Sequence, residues 1–375
     1  MLAQPPTWFI VLAFLCAIGP LIIIHELGHY AVGRAFGAGA DSFSIGFGPE
    51  VAGWTDKRGT RWKIGLLPLG GYVRFAGDAD ATSRPGAEPV SEEERARSFH
   101  LKPVWQRFLI VLAGPASNFI VAILIFAGFF MTLGMPHSPP VVGRILPNST
   151  ALAVGLKVGD RITSVGGYGI DSFEDIRRTV ALRPAQTLEL RLVRNGAERV
   201  IPARIGSQEM RDRFGQSARI GMLGIVPTER EWVRPPLLSV IPEATRFTYE
   251  ITQSMVAGLG QIISGQRSVK ELGGTLKMAQ MAGQQASLGP FEFIELVALF
   301  SINLGFINLL PVPMLDGGHL LFYSVEAVRR RPVSERAQEW AFRGGFALIL
   351  ALLMFTTFND LGSFGVWARL GQFLG

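Results

Sequence analysis

Four stretches of the chain run without a charged side chain: Trp8–Ile24, Phe108–Met135, Leu296–Leu315 and the shortest, Gly344–Phe358. A helix rises about 1.5 Å per residue, so about 20 such residues cross the hydrocarbon core of a bilayer. Each run predicts a membrane-spanning helix. The first can continue through His25 to Tyr30, and the fourth through Leu361 toward Trp367. A cleaved signal peptide is the rival reading of the first run, but it needs a basic leader, and no Lys or Arg precedes Arg34.

Between the spans the period changes. Phe43, Ile45 and Phe47 alternate, Asp56-Lys57-Arg58-Gly59 is a turn, and Gly70-Gly71 precedes the short β run Tyr72-Val73-Arg74-Phe75. Residues 140–205 read as a small α/β module: strands at Val141–Ile145, Arg161–Val165, Leu188–Val193 and Arg199–Ile205, and helices at Ala151–Leu156 and Phe173–Ala181. Asn195-Gly196 is its hairpin turn, and Asp171 or Ser172 caps its second helix. From Leu238 to Ile262 apolar residues recur three or four apart, which predicts a helix that either packs on its neighbours or lies in the membrane interface.

The chain thus divides into a first span (1–34), a loop (35–103) with a β-hairpin (43–75) and a polar linker (77–97), and a second span (104–135). The α/β module (139–206), a linker (207–290) with an amphipathic helix (237–263), a third span (293–316), a loop (317–343) and a fourth span (344–367) follow.

Composition agrees with this division. Of the 375 residues 48% are hydrophobic and 18% charged, against about a quarter charged in a soluble domain. One cysteine, Cys16, excludes an internal disulfide framework and a cysteine-based zinc site. The net charge of +6 includes Lys57, Arg58, Arg61, Lys63 and Arg74 in the first loop and Arg329–Arg331 in the second, with no Lys or Arg ahead of the first span. Basic loops face the cytoplasm, which predicts both termini outside. No basic stretch is interleaved with aromatics, so nucleic acid is not an expected partner.

The chemistry sits in the first and third spans. His25-Glu26-Leu27-Gly28-His29 puts two imidazoles at i and i+4 on one helix face, where they can hold one Zn²⁺ with Glu26 within reach of a water. Such a run arises by chance on the order of a few times per thousand chains. Ionisable groups at membrane depth are expensive, which argues against two ordinary core histidines with a snorkelling glutamate. A catalytic zinc takes three protein ligands. His100 and His137 fall in loops and read as surface histidines. Asp316 ends the third run, after Pro311 and Pro313, which cannot sit in an undisturbed helix and should open the backbone along a wet cavity. A carboxylate costs about 2.5–3.5 kcal/mol to insert at mid-helix, a cost that a zinc ion offsets; the plain alternative is a capping Asp. His319, three residues on, is kept outside the ligand set.

The His-Glu-x-x-His in span one and the Leu-Asp-Gly in span three resemble the site-2 protease family of intramembrane zinc metalloproteases, close to its RseP-type branch. Gly114-Pro115-Ala116-Ser117-Asn118 is similar to that branch's Gly-Pro-x-x-Asn pattern, Gly70-Gly71-Tyr72-Val73 to its membrane-associated β element, and residues 140–205 to its PDZ module. The chain departs in having one such module where enterobacterial members carry two, and Thr275 after Gly273-Gly274 where relatives often have proline.

The resemblance implies a polytopic α-helical membrane protein of four transmembrane helices, N-out/C-out, with a membrane-associated β-sheet and one extracytoplasmic PDZ (α/β) domain, in a bacterial inner membrane. It implies Zn²⁺ on His25, His29 and Asp316, with Glu26 as general base. The substrates it implies are single-span membrane proteins, either anti-sigma factors already trimmed by a first protease or remnant signal peptides. Gly71, Tyr72 and Val73 are then expected to hold the substrate by strand addition, and Asn308 with the broken backbone at Pro311 to clamp it; for Asn308 a helix–helix hydrogen bond is the alternative. Asn118 reads as a helix-packing residue beside Gly114. A zinc transporter would need its ligands spread along a pathway. An inactive PDZ-bearing scaffold would usually have lost Glu26 or a ligand.

Overall fold

A computed structural model describes residues 5–78, 91–181, 183–211, 217–228, 231–265, 269 and 273–363. They fall into two compact units, one made of 1–126, 244–253 and 270–375, the other of 127–243 and 254–269.

In chain order, α1 (Thr7–Ala35) leads into two long strands, β1 (Ala40–Thr55) and β2 (Arg61–Phe75). A short α2 (Glu92–Arg97) precedes α3 (Val104–Thr132). Then come β3 (Met135–His137), β4 (Val142–Ile145), α4 (Thr150–Ala153), β5 (Arg161–Val165), β6 (Tyr168–Gly169) and α5 (Phe173–Ala181). Next are β7 (Thr187–Arg194), β8 (Ala197–Arg204), β9 (Gly206–Arg211), β10 (Ser217–Met222), β11 (Ile225–Pro227) and β12 (Glu231–Val233). The chain closes with α6 (Leu237–Ile263), α7 (Thr275–Leu288), α8 (Pro290–Leu309), α9 (Asp316–Arg329) and α10 (Glu335–Ser363). Among the described residues, α1, α3, α8 and the stretch Arg336–Gly362 of α10 are long and apolar enough to cross a membrane.

In the first unit α1 packs on α7 and α8 through Ala13, Phe14, Ala17, Leu21, Ala282, Leu296 and Phe300. The expected linker at 207–290 is corrected here. It contains β9–β12 and a second helix, α7, whose Gly283 lies so close to Ile10 that a Cβ would strike it. Gln and Lys residues masked α7 in the sequence, because its buried stripe is made of small residues. The buried carboxylate of Asp360 on α10 caps α7, accepting from the backbone N–H of Gly274 and Lys277 at 3.1 and 3.0 Å.

The third span is also corrected: α8 stops at Leu309 rather than 316. Pro311 and Pro313 break the helix as expected, and Asp316 opens α9, a helix where a loop (317–343) was expected. Leu320 and Tyr323 anchor α9 in a core shared with Phe43, Val73, Phe99 and Ile110. The fourth helix begins at Glu335, well before 344, and the expected reach to 367 extends beyond the described residues. Most of the polar linker 77–97 lies outside them too, but its end is α2, closed by a Ser91–Glu94 capping box.

The hairpin begins at Ala40, not 43, and turns at Asp56, whose Oδ1 accepts from the N–H of Arg58 and Thr60 at 2.8 and 2.9 Å. Both strands bend, so Ser42 and Phe43 are matched with Arg61 and Trp62 on one side and with Arg74 and Val73 on the other, while Trp54 faces Trp62. Residues 71–75 therefore form an edge.

In the second unit, β6-β5-β7-β8 make one sheet, with the expected hairpin at Asn195-Gly196, both at positive φ. Ser172 rather than Asp171 caps α5, accepting from the Asp175 N–H at 3.2 Å. The module runs past 206: β11 returns to pair with β4, and Leu223 joins the core of Val142, Ile162, Leu190, Leu192 and Ile205. On α6, Val240, Ala244 and Thr248 are buried, while Leu237, Leu238 and Ile241 are exposed.

Candidate metal centre

His25 and His29 lie one turn apart on α1, both buried. Asp316, the first residue of α9, meets them: its Oδ2 is 3.0 Å from His25 Nε2 and its Oδ1 3.5 Å from His29 Nε2. The two Nε2 atoms are 3.2 Å apart. Tetrahedral zinc with bonds of about 2.0–2.2 Å separates its ligand atoms by about 3.3–3.5 Å, so these spacings suit one ion.

Hydrogen bonding fixes which ring nitrogens face it. His29 Nδ1 donates to the Ile110 carbonyl at 2.9 Å, leaving Nε2 bare. On His25, Nδ1 lies 3.0 Å from the Asn118 side-chain amide. With the amide nitrogen toward the ring, Asn118 Oδ1 is buried without a partner. Turning the amide over lets Oδ1 accept from Nδ1–H and frees His25 Nε2 as well. Two bare nitrogens and a carboxylate, one of whose oxygens is buried without a hydrogen-bond partner, then converge on one point. Lone pairs so close repel one another unless a cation sits among them. The residues fit zinc, and the partners behind them are those that orient metal-bound imidazoles.

The surrounding chain is shaped for this approach. A Cβ on Gly114 would collide with the His29 ring and crowd His25 Nε2, so only glycine lets α3 lie against the two imidazoles. Gly114 and Asn118 share one face of α3, four residues apart. Ser117 Oγ donates to the Ile24 carbonyl at 3.0 Å, and Ser301 Oγ to the Asn118 carbonyl at 2.7 Å, tying α3 to α1 and α8. After Asp316, Gly317 and Gly318 nest against the backbone of Leu309–Pro313, where any Cβ would strike carbonyl oxygens. That contact seats the first turn of α9 and aims its carboxylate.

A cavity of about 300 Å³ opens beside the three ligand side chains, lined by Glu26, Gly71, Tyr72, Val73, Asn308 and His319 among others. Glu26 stands next to the ligands: a Cβ on Gly71 would come within 3.3 Å of its Cγ, and the Val73 backbone N–H faces its carboxylate. Four of the expected substrate-contacting residues, Gly71, Tyr72, Val73 and Asn308, thus border the centre. Pro311 does not: it is exposed and outside the lining, and its part is to end α8. His100, expected at the surface, is tied to the buried Asp78 at 2.8 Å. Asn118, read from sequence as a packing residue, orients His25 instead. Its spacing from Gly114 was the available signal. The Ile110 carbonyl, a backbone group, had none.

Residues 13–352 match the model of Peptidase family M50. The chain is 41% identical over 360 residues to a protein of Agrobacterium fabrum named as a zinc metalloprotease, covering 94% of this chain and 96% of that one. It is 36% identical over 388 residues to the metalloprotease MmpA of Caulobacter vibrioides, covering 96% and 97%. A solved PDZ domain of an SdrC-like protein of Listeria monocytogenes overlaps 26% of the chain at 15% identity and a TM-score of 0.20, too slight a likeness to bear on the module's role. With nearly the whole chain matched and a zinc-shaped ligand set within the matched residues, the protein belongs to Peptidase family M50 and is a membrane zinc metalloprotease.

Proposed function

We propose that the protein hydrolyses peptide bonds inside the membrane-spanning segments of single-span membrane proteins, at the centre formed by His25, His29 and Asp316. One observation carries the reading: the metal ligands, a carboxylate beside them and the edge of a sheet border the same cavity. Zinc bound there supplies a Lewis acid that polarises the scissile carbonyl and brings the pKa of water to about 7. Glu26 accepts the proton of the attacking water and passes it to the leaving amine. His25 and His29, locked by Asn118 and Ile110, keep their Nε2 atoms aimed without reorganising.

A transmembrane helix hides its carbonyls in its own hydrogen bonds, so a substrate must unwind. Residues 71–75 offer backbone groups along an edge, and each hydrogen bond formed there contributes about 0.5–1.5 kcal/mol against that cost. Asn308 reaches the same cavity with a donor and an acceptor.

The basic loops support an orientation with both termini outside, the hairpin and α9 toward the cytoplasm and the α/β module in the periplasm of a bacterial inner membrane. The module serves as a PDZ filter against bulky, untrimmed substrates. Trimmed anti-sigma factors and remnant signal peptides are the substrate classes that suit such a filter. The test is purified protein in detergent with a transmembrane substrate, with and without a zinc chelator, alongside Glu26→Gln. Cleavage that stops with chelation and falls about 10²–10⁴-fold in zinc-loaded Glu26→Gln is expected. Undiminished cleavage by that variant overturns the reading.

A further inference from the structure

His319 has no place in the chemistry so far. It sits on α9 one turn beyond Asp316 and lines the metal cavity. It also lines a second cavity of about 400 Å³, bordered by His100, Arg107, Tyr323 and Glu326. Its ring is steered by Phe342 and Tyr323, with centroids 5.3 and 6.3 Å away. Among the described residues, none makes a hydrogen bond to either of its ring nitrogens.

That combination is unusual. In the centre, Asn118 holds His25 and the Ile110 carbonyl holds His29, while Asp316 faces the two Nε2 atoms. The polar groups of the second cavity are paired as well, His100 with Asp78 and Arg107 with Glu326 at 2.7 Å. Neither ring nitrogen is among the buried polar atoms left without a partner, so both stay open to the cavities that the ring lines. A donor kept accessible beside the metal ligands is placed to meet water in the free enzyme and a substrate atom in the complex. A carbonyl oxygen gaining negative charge is the group that rewards a fixed N–H donor most, because the donor is already in place when the charge appears.

We propose that His319 is a further catalytic residue, donating a hydrogen bond to the scissile carbonyl oxygen as water adds to its carbon. The proposal rests on the hydrolytic reading above. Its donor is neutral imidazole N–H, and no proton leaves it. The second cavity also borders the ring.

The test compares His319→Phe, which keeps the ring packing on Phe342 and Tyr323, with His319→Gln, which keeps a donor, and with Glu26→Gln, all as full-length zinc-loaded protein. Zinc content, melting temperature, kcat and KM are measured on one transmembrane substrate. His319→Phe should hold stoichiometric zinc, melt no lower than the parent, and lose about 10²–10³-fold in kcat with KM little changed. His319→Gln should recover part of that loss. Parental kcat in His319→Phe overturns the proposal. So does a loss of activity that tracks loss of zinc, which would make His319 a support of the metal site, and so does a rise in KM alone, which would make it a ground-state contact. Undiminished cleavage by Glu26→Gln in the same assay would instead overturn the hydrolytic reading itself.

Discussion

Two carboxylates, one in each unit, are treated in opposite ways. In the α/β module Asp160 is fully buried and fully answered: Arg194 donates to both of its oxygens at 2.6 Å, and the Lys157 N–H adds a third bond at 2.8 Å. Burial works against ionisation there, but the Arg194 and Lys157 contacts outweigh it and hold the carboxyl below its usual range. Asp316, in the helical unit, faces only two imidazoles whose other nitrogens are already committed, and its Oδ2 has no hydrogen-bond partner. A carboxylate that the chain satisfies holds structure together. One that the chain surrounds with bare lone pairs is built to hold a cation.

Substitution should separate the two most sharply at Asp316. In Asp316→Asn the amide is a poor zinc ligand and two histidines remain, so zinc content and cleavage should both collapse while the helices stay folded. Metal analysis with circular dichroism checks this. Stoichiometric zinc in that variant would erase the contrast. At Asp160 the reverse is expected: Asp160→Asn should destabilise the module by about 2–3 kcal/mol, since Arg194 is left without its counter-charge, and leave zinc content untouched. Hydrogen exchange at β5 and β7 in the full-length protein reads that loss.

Smaller effects refine the picture. Asn118→Ala removes the partner of His25 Nδ1 and should weaken zinc binding about 10–100-fold without displacing the ligands, measurable by competition with a chelator. Unchanged affinity would return Asn118 to a packing role. Acid should act on the module through Asp160. Because its folded carboxyl titrates below the unfolded one, its contribution is present above about pH 4 and fades as the pH falls further. Protection factors at β5 and β7, taken relative to the intrinsic exchange rate at each pH, should therefore fall below that pH in the parent and much less in Asp160→Asn.

These sites differ in how far the chain announces them. His25, Glu26 and His29 are legible because helical periodicity alone brings them together. Asp316 is legible because two prolines and a charge interrupt an apolar run. The hairpin's edge at 71–75 follows from Gly70-Gly71 and the β run after it. What escapes is whatever depends on a distant surface. The stripe of α7 is Ala282 and Gly283, small residues that mean little until α1 is against them. β11 belongs to the module only through its pairing with β4, some 80 residues back. The helix α9 hides in what reads as a charged loop, because its seat is the broken backbone at Leu309–Pro313. Asn118 and Gly114 lie in between: their spacing shows a shared face, but not that the face meets two imidazoles.

Zinc K-edge X-ray absorption on the detergent-purified, zinc-loaded protein reads the ligand set at the metal. The spectrum should show two imidazole nitrogens at about 2.0–2.1 Å, a carboxylate oxygen and one further light oxygen at about 2.0–2.2 Å, with the carboxylate contribution absent from whatever zinc Asp316→Asn retains. A third imidazole in the spectrum, or a parental spectrum unchanged in Asp316→Asn, would contradict it.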